Sequence, residues 1–192
     1  WKISVNAEGS TRSSAFTEFE KAARVMRQYL QTHGIPEKEI TMSSVDISKR
    51  TKDFWDEDSR KYVTLENGFA VSQTFTVSSN DLKRVESVYQ RISELYNRGM
   101  DFSSEKPLYY YTKLNDLKME MLNQASANAY ERAQTIAKGS DSKVGAIVSS
   151  SMGVFQIVGL NSEEEYSWGG TFNTSSKEKV ASITVRTTYK VK

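Results

Sequence analysis

The chain has 192 residues, with 26 lysine and arginine side chains against 24 aspartates and glutamates, a formal net charge of +2 and no cysteine. That near balance excludes the general attraction to nucleic acid or to an anionic membrane that a strongly basic chain would have. The missing cysteine excludes a disulfide framework, a thiolate nucleophile and Cys-ligated zinc, and no run approaches the ~18 apolar residues of a membrane-spanning helix.

In chain order, Trp1, Ile3, Val5 and Ala7 alternate with Lys2, Ser4, Asn6 and Glu8, which predicts a half-buried strand. The chain begins at Trp1, already inside that strand, so an upstream segment with a targeting signal or anchor is expected. Residues 14–33 predict a helix with Phe16, Phe19, Ala23, Met26 and Leu30 on one face, closed by Gly34 and Pro36. Residues 39–50 predict a strand. Residues 51–62, "TKDFWDEDSRKY", are polar and charged and predict an exposed loop or hairpin tip. Residues 68–79 predict a strong strand on their β-branched and aromatic content. A second helix follows, capped by Asn80 and ended by Gly99. The stretch "SSEKPLYYYTK" predicts a strand in which Tyr109, Tyr110 and Tyr111 bury one face. Residues 114–139 predict the longest helix, with Asn115 as cap and Gly139 as stop. One or two strands follow with glycine bends, and a half-buried strand closes the chain from Val180 to Tyr189. This order predicts an α+β fold, with antiparallel or mixed sheets packed with about three long helices and a ferredoxin-like second half.

Few residues carry candidate chemistry. The one imidazole, His33, has no second ligand or nucleophile beside it in sequence, and reads as a helix-end residue next to Gly34. Asp53, Asp56, Glu57 and Asp58 lack the spacing of a calcium loop and read as a solvated, mixed-charge loop. Glu163, Glu164 and Glu165 read as a solvated face. No phosphate-cradling glycine loop, G-x-S-x-G or H-E-x-x-H occurs, so no catalytic, cofactor-binding or metal-binding residue is assigned. Lys49, Arg50, Lys52, Arg60 and Lys61 lie near Phe54, Trp55 and Tyr62, but acidic neighbours dilute that basic cluster. Exposed aromatics anchor interfaces, so Trp55, Tyr62 and Trp168 are the candidate partner contacts. Asn173-Thr174-Ser175 matches a glycosylation acceptor, which acts only in a eukaryotic secretory context. In "WGG", Gly169 and Gly170 read as the turn into the final strand, with Trp168 covering the core rim or a neighbouring subunit. Met119, Leu122, Ala125, Ala129, Ala133 and Ile136 share one helix face and read as the spine of a core, unless alanine is there only as a good helix former.

The stretch from Leu114 to Ile157 resembles the signature of the SIMPL-domain family of bacterial envelope proteins. Its alanine-rich helix (Ala125, Ala129, Ala133, Ala137) runs through Gly139 into Val144-Gly145-Ala146-Ile147. "YLQTHGIPEKEI" resembles the family's helix-to-strand junction, and "YSWGGTFNTSSKEKVASITVRTTYKV" its carboxy-terminal segment. The resemblance implies one domain over residues 1–192 and a further short strand upstream of Trp1, while chain length and element order allow sub-lobes at 1–67 and 68–192. It implies a periplasmic or envelope location, a homo-oligomer, an envelope protein partner and a link to oxidative-stress tolerance. Membrane attachment would come only through an amino-terminal anchor. It carries no catalytic residues. The function expected is therefore non-enzymatic, by assembly or partner binding. The alternative is a small-ligand-binding or hydrolytic domain with a cleft between two lobes.

Overall fold

The computed structural model describes residues 1–165 and 167–192. The elements run β1 (Lys2–Gly9), α1 (Arg12–Thr32), β2 (Ile40–Met42), β3 (Asp46–Asp56), β4 (Lys61–Val77), α2 (Leu82–Arg91), β5 (Asp101–Ser104), α3 (Leu114–Lys138), β6 (Val144–Met152), β7 (Gln156–Gly159), β8 (Lys179–Ser182) and β9 (Val185–Val191). The fold is α+β with antiparallel sheets. The chain forms two compact units, Trp1–Pro107 and Leu108–Lys192. A division after residue 67 would cut β4, which pairs with β3 from Lys61 to Ser72 and with β1 from Phe69 to Thr76.

In the first unit the strand order is β2-β4-β1-β5, with β3 also paired to β4. The units β1-α1-β2 and β4-α2-β5 interleave, and each strand lies antiparallel to its neighbour. That is the ferredoxin-like split βαβ arrangement. It was expected from residue 68 onward, but β4 needs β1 beside it, so the motif occupies the first unit instead. The β1 alternation places Ile3 and Val5 fully inside, with Trp1 and Ala7 at the rim of the same core. Against them pack Ala15, Phe19, Met26 and Leu30 of α1, Val85 and Val88 of α2, and Val71 and Phe75 of β4. Phe16, by contrast, is exposed.

The helix ends follow local chemistry. Thr11 and Ser14 form a reciprocal capping box at the start of α1. His33 ends it, with Nδ1 2.8 Å from the Tyr29 carbonyl and its ring against the Tyr29 ring, and Gly34 follows at φ +85°. Asp81, not Asn80, caps α2: its carboxylate accepts the Arg84 N–H at 3.1 Å. A 3₁₀ segment, Ile92–Arg98, continues that helix to Gly99.

Residues 51–62 are not a loop. They form most of the far half of the β3–β4 hairpin, and only residues 57–60 turn. Past Gly9, β1 no longer accompanies β4, so Thr51–Glu66 projects as a two-stranded ribbon. The tyrosine stretch is not a strand either. β5 stops at Ser104, and Pro107, which has no N–H for a ladder, closes the unit before Leu108.

In the second unit β6 pairs with β9 and β7 with β8, and α3 packs chiefly on β9. The final strand is thus two pieces, broken at Ile183 and Thr184. Lys113 stands at the amino end of α3 without a side-chain cap, and Asn115 lies inside the first turn. The expected core spine is only partly covered: Ala125, Ala129 and Ala133 are half-buried, while Met119 is 59% and Ile136 75% exposed. A helix of 25 residues is wider in reach than the two-stranded sheet beneath it. Ala129→Leu would cost about 1–3 kcal/mol in a filled interface. Here the side chain has open space, so urea unfolding is expected to place the variant within about 0.5 kcal/mol of the parent.

Candidate binding surfaces

The ribbon places apolar groups on both of its faces. Trp55 lies opposite Tyr62, Phe54 opposite Val63 and Lys52 opposite Leu65. Alternate pairs share a face, so Trp55 and Tyr62 sit with Asp53 and Thr64, whose hydroxyl donates to the Asp53 carboxylate at 2.6 Å. The opposite face carries Phe54, Val63 and Leu65, with the Lys52 ammonium 5.4 Å from the Phe54 ring. The Trp55 and Tyr62 rings meet edge to face at 5.2 Å, yet they remain 49% and 73% exposed. Both sequence-predicted contacts are therefore solvent-facing and adjacent, presented by a strand pair rather than a loop.

The ends of the ribbon are held by charge and hydrogen bonds. At the root Lys49 pairs with Glu66 at 2.8 Å and Arg50 with Glu8 at 2.5 Å. At the tip the Asp56 carboxylate accepts the Asp58 N–H and the Ser59 hydroxyl. Those bonds hold its pKa below the usual carboxylate value, the Ser59 hydroxyl contributing most. The acidic cluster thus closes a turn. Among the described residues, no group of three or more His, Cys, Asp or Glu side chains is placed to hold a metal ion.

The Trp-Gly-Gly turn lies in the second unit and is clamped by a residue that the sequence reading missed. Buried Gln156 donates from Nε2 to the Ser167 carbonyl at 2.7 Å and accepts the Thr171 N–H at 2.6 Å. Between those points Gly170 donates to the Ser167 carbonyl and takes φ +93°, a left-handed conformation that favours glycine. Trp168 at the crest is 100% exposed, so it covers no core rim. The structure does not describe Tyr166, the residue before Ser167. A single glutamine inside the apolar run "VFQIV" was the available signal for this clamp, since a buried amide must find partners.

A second polar cluster orders the same loop. Glu164 is not simply solvated: its carboxylate accepts the Gly159 N–H at 2.9 Å and the Asn173 amide at 2.5 Å. The Gly159 bond, then the Asn173 bond, hold its pKa below the ordinary value. Asn173 is buried, and its side-chain oxygen accepts from the Ser176 N–H and from Lys179 Nζ, so its amide is occupied and not offered for glycosylation. Burial lowers the Lys179 pKa, opposed by the attraction of Glu164. A carboxylate with a depressed folded pKa contributes stability that is present above the unfolded value and lost as pH falls through the folded one. In an NMR titration, the Gly159 amide resonance is expected to move with a midpoint below 4.5, the ordinary value for Glu164.

Beside α3 runs an open groove of about 790 Å³, lined by one face of the helix and by Ser182–Thr187. Among the described residues no helix is long and apolar enough to cross a membrane. The model of one protein family, SIMPL, described as a protein of unknown function (DUF541), matches residues 1–192. No curated protein matches the chain.

Proposed function

The chain belongs to the SIMPL family over its whole length, and on that premise we propose that it is a non-enzymatic protein of the bacterial cell envelope. It acts by binding a protein partner, or by assembling with copies of itself, through the aromatic end of the β3–β4 ribbon. The observation that carries this reading is the exposed Trp55–Tyr62 pair on a strand pair that projects past the sheet. Aromatic side chains concentrate binding energy at protein interfaces. An isolated two-stranded ribbon is also marginally stable in water, so a partner that covers its faces would stabilise it. Trp168 supplies a second, independently presented aromatic. The envelope location and a role in oxidative-stress tolerance rest on the family resemblance of the helix and glycine motifs.

Trp55→Ala with Tyr62→Ala separates binding from folding. The pair is exposed and lies far out on the ribbon, so loss of one cross-strand contact is expected to remove about 0.2–1 kcal/mol at most. Thermal unfolding should be nearly unchanged. Retention of the partner from envelope extract, or self-association by light scattering, should fall about tenfold or more, as expected for an aromatic anchor worth over 1 kcal/mol. A large drop in melting temperature would place these rings in the core, and unchanged association would remove the ribbon from the interface.

A further inference from the structure

We propose that the groove beside α3 is a docking slot for an extended peptide segment that carries carboxylate side chains. This rests on the reading of the chain as a binding protein, but it uses a different surface from the ribbon.

One wall of the groove is helical, with Met121, Ala125, Ala129 and Ala133 at spacings of four. The other is Ser182–Thr187, which takes in the end of β8, the two residues between the strands and the start of β9. Side chains alternate along β9, with Val185 and Thr187 half-buried and Arg186 exposed, while all six residues border the groove, so it follows the length of this stretch. Among the described residues β8 pairs only with β7 and β9 only with β6. Between them the Thr184 carbonyl accepts the Gly153 N–H at 2.8 Å, which continues the same ladder. The other edge of this stretch therefore has no strand beside it, and its backbone groups are available to one that arrives.

The two walls also match in length. Six extended residues span roughly 20 Å, and the helix rises roughly 22 Å from Met121 to Ile136. The half-buried alanines leave depth that larger side chains would fill. The groove's volume of about 790 Å³ is within the ordinary range of binding sites. Charge selects the occupant. Arg132 and Arg186 line the groove and no carboxylate does, so an incoming strand gains from acidic side chains, which a guanidinium can hold through two parallel hydrogen bonds.

The test titrates the nitrogen-15-labelled chain with a short acetylated and amidated peptide of alternating valine and threonine that carries glutamates. The amide signals of Ser182–Thr187 are expected to shift and saturate at millimolar peptide. Ala129→Phe should abolish the shifts by filling the groove. Arg132→Glu with Arg186→Glu should weaken the glutamate peptide by about fivefold or more and favour its lysine counterpart. Absence of shifts, or shifts indifferent to both variants, would overturn the proposal. Equal binding of a peptide N-methylated along one edge would exclude strand pairing. If octanoate moves the same amides with the same sensitivity to Ala129→Phe, the groove takes an acyl anion instead. Shifts that follow the chain's own concentration would assign it to a second copy. None of these results depends on Trp55 or Tyr62, so failure here leaves the ribbon reading standing.

Discussion

Phe75→Ala should destabilise the protein by about 3–5 kcal/mol, the largest effect expected of any single side-chain truncation in the first unit. Phe75 is fully buried and is the largest side chain to be so. It sits on β4 opposite Ile3 of β1 and Met42 of β2, where three strands meet. Its ring is part of the core that α1 and α2 cover. Truncation removes the transfer energy of the ring and leaves a cavity that β1, held by β4 on one side and β5 on the other, cannot collapse to fill. Denaturant unfolding reads the loss directly as a lower midpoint. A change under about 1 kcal/mol would mean that the sheet and helices do not share this core.

Gly68→Ala should cost about 2–4 kcal/mol, through two effects that can be separated. The residue has φ +88°, where a Cβ is strained, and an added Cβ would stand 2.4 Å from the Gly9 carbonyl oxygen. Gly9 cannot move aside, because its own position is pressed against the start of α1: a Cβ there would lie 2.3 Å from the Ala15 nitrogen. Two glycines therefore let β4 cross the end of β1 where the ribbon leaves the sheet. Gly99 has φ +71° with nothing within 4 Å of its added Cβ, so Gly99→Ala reports the conformational strain alone, about 1–2 kcal/mol. The excess for Gly68→Ala over Gly99→Ala in urea unfolding measures the steric part. Equal losses would show that the close approach to Gly9 does not exist.

Where one face is buried, side-chain periodicity made the element plain. Trp1, Ile3, Val5 and Ala7 marked β1, and Phe19, Met26 and Leu30 marked the inner face of α1. The ribbon escaped because its strands are solvated on both faces. Nothing there forces an apolar alternation, and backbone pairing with cross-strand contacts such as Thr64 to Asp53 holds it instead. The stripe on α3 has helical spacing but no sheet wide enough to cover it, so spacing alone overstated its burial. At the candidate surfaces, Trp55, Tyr62 and Trp168 were visible as aromatics in polar surroundings. Their presentation was not, because it depends on distant partners: Trp55 on strand register with Tyr62, and Trp168 on a glutamine eleven residues before Ser167.

The central claim is that the ribbon's aromatic end meets a partner. A photo-reactive side chain placed at Tyr62, and separately at exposed Lys83 on α2, tests it in cells that make the protein. One discrete adduct is expected from position 62, weakened by Trp55→Ala, and none from position 83. No adduct from position 62, or the same adduct in the same yield from both positions, would contradict it.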